Sequence, residues 1–194
     1  MQTLGIVGVG LIGGSIAKAV RALQPSWRVV GHDLDGIAEA AAGAGVIHAA
    51  VDETAIADAD LVVLAAPISA NLAWMDRLAA MDCRAVVTDV GGTKRQVTVK
   101  ADALGARLRF VGGERSGFAA ADAHLFADRR WFVVPSRASS DADVERVLAF
   151  AAGLGAHPQA TDAETHDRVM AAVSALPQVT ASALMAVVCE RVDV

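Results

Sequence analysis

Gly5-Ile6-Val7-Gly8-Val9-Gly10-Leu11-Ile12-Gly13-Gly14-Ser15 carries an apolar, β-branched run (Leu4 to Val7) through three glycines spaced G-x-G-x-x-G and into an alanine-rich amphipathic stretch ending near Leu23. This pattern reads as strand, turn and helix. Each glycine answers a separate demand: Gly8 a tight turn, Gly10 close approach of backbone to a pyrophosphate, Gly13 close packing of helix on strand. The free N–H groups that open the helix would face the phosphates. A second apolar run, Trp27 to Gly31, ends in His32-Asp33, and Asp33 falls 20 residues after Gly13. A carboxylate there can accept hydrogen bonds from ribose hydroxyls. Leu34-Asp35-Gly36 offers no cation for a 2′-phosphate, so the spacing points to NAD rather than NADP. The alternative is a structural turn with Asp33 as a helix cap.

The chain has 194 residues, 54% apolar and 4% aromatic, with a net charge of −5. That length suits one full domain and part of another. No apolar run is expected to reach the roughly 18 residues of a membrane span, and no leader pattern stands at the N-terminus, so a cytoplasmic protein away from membranes is expected. The interspersed negative charge argues against nucleic acid as a partner. Cys83 and Cys189 are far apart without metal-ligand spacing, which predicts buried reduced thiols and no metal.

In chain order, a short helix is expected over Ile37 to Ala44, a strand over Val46 to Val51, and a polar connection with a short helix over Asp52 to Asp60. Leu61 to Ile68 is continuously apolar, as in a parallel strand buried on both faces. Ligands sit outside the carboxyl ends of such strands. Ala65, Ala66 and Pro67 should therefore lie beside the nicotinamide end of the cofactor, unless Pro67 only stops the strand. Ser69 is a candidate cap for a helix from Ala70 to Met81. A strand over Arg84 to Val90 ends in Gly91-Gly92-Thr93-Lys94, where Lys94 either meets Asp89 or another carboxylate, or is solvated. A helix from Gln96 to Leu104 leads to strands over Leu108 to Gly113 and Trp131 to Pro135. Ser140 or Asp141 caps a helix from Asp143 to Gly153, and an extended piece over Ala156 to Ala160 closes a doubly wound, mainly parallel α/β sheet of the Rossmann type, residues 1–160. A long apolar helix then runs from Thr161 to about Val188, with Pro177 as a kink. Residues 161–194 cannot form a core alone and must pack on something else.

Gly8 to Ser15, Ala66-Pro67, Asp89 to Lys94, Glu114-Arg115-Ser116-Gly117, Leu125-Phe126, Pro135, His166-Asp167 and Ser174-Ala175-Leu176-Pro177 occur in the order seen in prephenate and arogenate dehydrogenases. The chain resembles that family over nearly its whole length. The resemblance implies an NAD-dependent oxidative decarboxylation of prephenate or arogenate on the route to tyrosine, with residues 161–194 beginning a helical dimerisation domain of a homodimer. The cofactor candidates are Gly8, Gly10, Leu11, Ile12, Gly13, Asp33, Ala66, Pro67 and Gly92.

The reaction needs a base for the hydroxyl proton and groups that hold two carboxylates. Here the sequence departs from the family: its GGHPMAG-type segment with the proton-accepting His is absent, and Gly112-Gly113 joins directly to Glu114. Gly92 stands where the family has Ser, and Ala175 and Gln178 stand where it has His. Its later helices, with an Arg that grips substrate, would lie beyond Val194. Three explanations compete: native segments missing from this sequence, which the close match of Glu114 to Phe126 favours; a diverged member with another base; or NAD binding without the reaction. The remaining catalytic candidates are His166, which could line the substrate cleft or be held by Asp167 or Glu164; Glu114, at the mouth of the site or simply exposed; and Gln178, which can hydrogen-bond substrate but not relay a proton. Arg115 could contribute to carboxylate binding. His32, His48, His124 and His157 have no partner pattern. A noncatalytic NAD-binding module and a β-hydroxyacid or imine-type reductase are the alternative functions.

Overall fold

The computed structural model describes residues 1–115 and 125–191. Eight strands form one sheet: β1 Thr3–Val7, β2 Arg28–His32, β3 Ala49–Ala50, β4 Leu61–Leu64, β5 Val86–Asp89, β6 Arg109–Arg115, β7 Arg130–Pro135 and β8 His157–Ala160. Their spatial order is β3-β2-β1-β4-β5-β6-β7-β8. All neighbours are parallel except β6 and β7, which run antiparallel with Glu114 opposite Phe132. The strand order reverses between β1 and β4, so the glycine loop after β1 opens at the switch point of the sheet, where ligands of doubly wound folds sit.

Among the described residues, eight α-helices accompany the strands: α1 Leu11–Leu23, α2 Ile37–Gly43, α3 Glu53–Ala57, α4 Ile68–Ala80, α5 Arg95–Leu104, α6 Asp141–Gly153, α7 Ala163–Met170 and α8 Leu176–Arg191. The continuously apolar β4 is fully buried because both of its faces are covered. Leu61 and Val63 join a core with Ile16 and Val20 of α1 and Phe150 of α6. Val62 and Leu64 face the other way, against Met75 and Leu78 of α4 and Val97 and Ala101 of α5. The alternation of side chains along the strand thus assigns each layer of helices its own apolar core.

Several sequence expectations shift in detail. The strand expected over Val46 to Val51 shortens to Ala49–Ala50, because Val46 N–H closes a turn onto Ala41 and the His48 ring accepts from Val29 N–H at 2.9 Å. Ser69 is no cap: Pro67 occupies that position and α4 begins at Ile68. Ser140 does cap α6, accepting from Asp143 N–H. Cys83 is buried as a free thiol, whereas Cys189 is exposed. The long C-terminal helix is interrupted by a π-helical turn, Ala171–Ala175. It lies just before Pro177, whose missing N–H leaves a carbonyl of the preceding turn without its partner. The segment Ala163–Cys189 is long and apolar enough to cross a membrane by length and composition, which overturns the expectation that no run approaches that length. Leu176, Val179, Leu184 and Met185 stand exposed on it. Ser116, Gly117 and the Ala119 to His124 part of the motif ending at Phe126 lie outside the described residues.

The glycine loop itself is fixed by close contact. Gly8 has φ +88°, the left-handed region. A Cβ on Gly13 would lie 1.9 Å from the Gly8 carbonyl oxygen, while one on Gly10 would meet nothing within 4 Å. Gly13→Ala is expected to lower stability by about 1–3 kcal/mol or more through overpacking, and Gly10→Ala to leave the urea midpoint close to that of the parent protein. Parallel urea unfolding of the two variants measures the contrast.

Candidate active site

The C-terminal edge of the parallel strands gathers nearly every candidate residue. The first turn of α1 has no side-chain cap and no acidic residue, so the N–H groups that every helix leaves unpaired there face outward without a competing charge. Asp33, just past β2, accepts from Val9 N–H at 2.6 Å and from Leu34 N–H at 2.7 Å. It braces the glycine loop and keeps further lone pairs on both oxygens. Ala66 is held by a residue that the sequence reading passed over: buried Asn71 accepts from Ala66 N–H at 3.2 Å and donates to Leu64 O at 3.3 Å. The turn after β4 thereby lies against Gly8, where a Cβ would sit 2.8 Å from Ala66 N. The open space at Gly10, the uncapped helix start and Asp33 together fit a dinucleotide diphosphate and its ribose.

Beyond β5 lies a buried polar cluster. Lys94 and Asp89 are both fully buried, with Nζ 2.5 Å from Oδ2. Asp89 also accepts from Gly91 N–H at 2.9 Å and from Gly113 N–H at 3.2 Å. The Gly112-Gly113 pair is required there, since a Cβ on Gly112 would lie 3.1 Å from the Lys94 stem and one on Gly113 would lie 2.7 Å from Asp89 O. Of the two sequence readings for Lys94, the structure selects the ion pair with Asp89.

A second chain of contacts starts at the Lys94 backbone. Asp167, on α7, accepts from Lys94 N–H at 2.7 Å and Arg95 N–H at 3.0 Å, so a carboxylate distant in sequence caps α5. Its Oδ1 lies 2.8 Å from His166 Nδ1. The other imidazole nitrogen, Nε2, meets Glu114 Oε2 in an ion pair. His166 is therefore held between two carboxylates, with Phe132 edge-on to its ring at 5.4 Å. Burial draws the imidazole pKa down, but its bonds to Glu114 and Asp167 and the Glu114 charge outweigh burial and the nearby Lys94, holding it above the ordinary 6.5. Partial burial likewise works against ionised Asp167, yet the His166 bond and the two N–H groups of α5 hold its pKa below 3.8.

Glu114, the outer member of this series, borders a cleft of about 670 Å³. Ile12 of α1, Val90 and Gly92 after β5, and Glu114 form one side; Phe132, Arg129 and Arg130 form another; Val169, Met170 and Ser174 close it from α7 and the turn beyond. Glu114 reaches the cleft, while His166, 1% exposed, stands behind it rather than lining the cleft as the sequence allowed. Gln178 is exposed on α8 and is not among the residues that border the cleft. Glu164 is exposed and has no part in holding His166. Arg129, Arg130 and Phe132 were not singled out from sequence, because an Arg-Arg pair entering a strand carries no spacing signal. His32, His48 and His157 bind Val51 O, Val29 N–H and Asp128 respectively; His124 lies outside the described residues. Among the described residues, no group of three or more His, Cys, Asp or Glu side chains could hold a metal ion.

The family model described as prephenate dehydrogenase, nucleotide-binding domain, matches residues 16–159. A prephenate dehydrogenase of Bacillus subtilis (strain 168) is 34% identical over 95% of this chain and 53% of its own length. One from Lactococcus lactis subsp. cremoris (strain MG1363) is 32% identical over 95% of this chain and 53% of its own. The chain thus spans about half the length of these curated relatives. The crystal structure of a prephenate dehydrogenase from A. aeolicus, in complex with hydroxyphenyl propionate and NAD+, superposes with a TM-score of 0.86 at 26% identity, covering 96% of this chain and 69% of that one.

The raised His166 pKa has a definite sign in stability. Its contribution is complete below 6.5 and disappears as pH rises through the raised folded value; that of Asp167 holds above 3.8 and is lost as pH falls through its lowered one. The urea-midpoint gap between the parent protein and His166→Gln is therefore expected to be widest near pH 6 and to narrow toward pH 9, measured by unfolding across that range.

Proposed function

This chain belongs to the prephenate dehydrogenase family, and from that premise we propose that it carries the cofactor half and the acid–base pair of an NAD-dependent enzyme. The reaction proposed is oxidative decarboxylation of prephenate or arogenate to 4-hydroxyphenylpyruvate or tyrosine. The observation that carries this reading is the placement of Glu114, backed by His166 and Asp167, at a cleft beside Gly92 and the glycine loop.

In this reading Gly8, Gly10 and Gly13 with the N–H groups of Leu11 and Ile12 cradle the diphosphate, Asp33 takes the ribose, and Ala66, Pro67 and Gly92 border the nicotinamide. NAD+ supplies the hydride acceptor. Glu114 accepts the proton of the substrate hydroxyl as the carbinol carbon is oxidised. His166, held toward its charged form and oriented by Asp167, fixes the Glu114 carboxylate toward the cleft. Carbon dioxide then leaves, the freed electron pair completes the aromatic ring, and the phenolic oxygen recovers its proton from Glu114. Phe132 and the α7 side chains exclude water from this exchange. Glu114 thus fills the role for which the family's absent loop His is used.

We also assign residues 1–160 to the dinucleotide-binding domain and residues 161–194 to the start of a helical dimerisation domain. A second copy of the chain is the partner proposed for the exposed apolar side chains of α8. A cytoplasmic setting accords with a soluble metabolite and NAD.

The test is assay of the full-length protein with NAD+ and either substrate, followed as NADH absorbance, with calorimetry for NAD+ binding. Turnover is expected with one of them, Glu114→Gln lowering kcat about 10²- to 10⁴-fold and Asp33→Arg removing NAD+ binding. Tight NAD+ binding with no turnover of either substrate overturns the enzymatic reading and leaves a binding module.

A further inference from the structure

A second, smaller cavity of about 270 Å³ lies on the edge of the sheet opposite the cleft. Gln2, Trp27 and Leu61 border it from the starts of β1, β2 and β4, Gln24 from the end of α1, and Arg146 and Phe150 from α6. Arg146 and Phe150 are four residues apart and so share one face of that helix. The glycine loop stands at the carboxyl end of β1 and this cavity at its amino end, so the two lie at opposite ends of α1, about 20 Å apart along its axis.

Backbone bonds hold the walls. Arg28 N–H donates to Gln2 O at 2.8 Å and Trp27 N–H to Gln24 O at 3.0 Å. Trp27 packs partly buried against the core, its ring centre 6.2 Å from that of Phe150 and tilted by 36°. A Cβ on Gly153 would lie 2.4 Å from Gln24 Nε2, so the bare backbone there lets the Gln24 amide lie against the end of α6. Between these walls stands a cation with nothing to pair with. Arg146 Nε is buried without a hydrogen-bond partner, and among the described residues Arg146 makes no hydrogen bond or ion pair. The acids closest to it in sequence or beside the cavity face elsewhere: Asp60, next to Leu61, accepts from Thr3 N–H at 2.7 Å, Asp143 pairs with Arg109, and Glu145 is exposed. A guanidinium cannot shed its charge, so burying one of its donors without a partner is unfavourable until an anion meets it.

We propose that this cavity binds a small ring carboxylate, with Arg146 taking the carboxylate, Trp27 and Phe150 the ring, and the Gln24 amide a further polar group. The guanidinium fork matches a carboxylate with two parallel bonds, and the indole offers a flat apolar face. Size sets the class of ligand. A cavity of about 150 Å³ already holds benzene, whereas drug-sized ligands occupy pockets of about 300 Å³ or more. The observed 270 Å³ therefore suits one ring with its carboxylate and is too small for a nucleotide. Such a ligand clamps the end of α1 to α6 and leaves the glycine loop, Asp33 and the Glu114 cleft free.

The experiment titrates the full-length protein, saturated with NAD+, with benzoate and with benzyl alcohol, which keeps the ring and lacks the charge. Calorimetry gives affinity and tryptophan fluorescence gives location. The parent is compared with Arg146→Gln, Arg146→Lys and Trp27→Phe, each first matched to it in urea midpoint and NAD+ affinity. Benzoate is expected to bind saturably in the millimolar range, as suits so small a ligand. Arg146→Gln should weaken it about 10- to 100-fold through loss of charge-assisted bonds, with part of the loss recovered in Arg146→Lys. Trp27→Phe should retain binding and lose the fluorescence change. Unchanged benzoate affinity in Arg146→Gln, equal affinity of the parent for benzyl alcohol, or a parent that binds no benzoate overturns the proposal. A fluorescence change that survives Trp27→Phe places the ligand elsewhere and overturns it as well.

Discussion

Asp89 is the point on which this end of the molecule depends. Its buried carboxylate receives the Lys94 ammonium and the N–H groups of Gly91 and Gly113, tying together the end of β5, the loop after it and strand β6. A buried ion pair gives little net stability over an apolar pair, but removal of one member leaves a charge with no solvent and costs about 3–5 kcal/mol. The interaction therefore acts chiefly as a constraint on geometry. Lys94 must come inward, its backbone N–H must meet Asp167, and Asp167 in turn sets the ring of His166 against Glu114. A site that looks assembled from four separate segments is a single hydrogen-bonded series beginning at the end of one strand.

The series also explains a feature of composition. Glycine at 112 and 113 is demanded by contacts with the Lys94 stem and the Asp89 backbone rather than by turn formation, and both residues lie within a regular strand. The same closeness of β5 and β6 carries Glu114 to the edge where the cleft opens. Phe132, directly across the ladder, seals the imbalance of a buried imidazole between two acids from bulk water.

Much of the fold was legible because backbone demands leave marks in sequence. The Gly8, Gly10 and Gly13 spacing, the unbroken Leu61 to Leu64 run and the acid at Asp33 each answer a local requirement, and the observed sheet follows from them. Lys94 with Asp89 was readable as one of two options, since five residues can close a loop between them. The antiparallel turn of β7 was not legible, because Trp131 to Val134 is equally apolar in either direction. Nor was the cap that Asp167 gives α5, which joins residues more than seventy positions apart. The depth of His166 behind Glu114 escaped for the same reason: burial of a polar side chain is set by what packs over it, here Phe132, and sequence records only the side chain.

The placement of Asp167 has a mechanical consequence. One carboxylate both caps the start of α5 and holds the imidazole, so the first two turns of the C-terminal helix are hydrogen-bonded to the layer that covers the sheet. The looser hydrogen bonding of Ala171–Ala175 comes immediately afterwards. Ser174, which borders the cleft, belongs to this turn. The wider turn thus falls where the helix leaves the part held by Asp167 and continues into exposed α8.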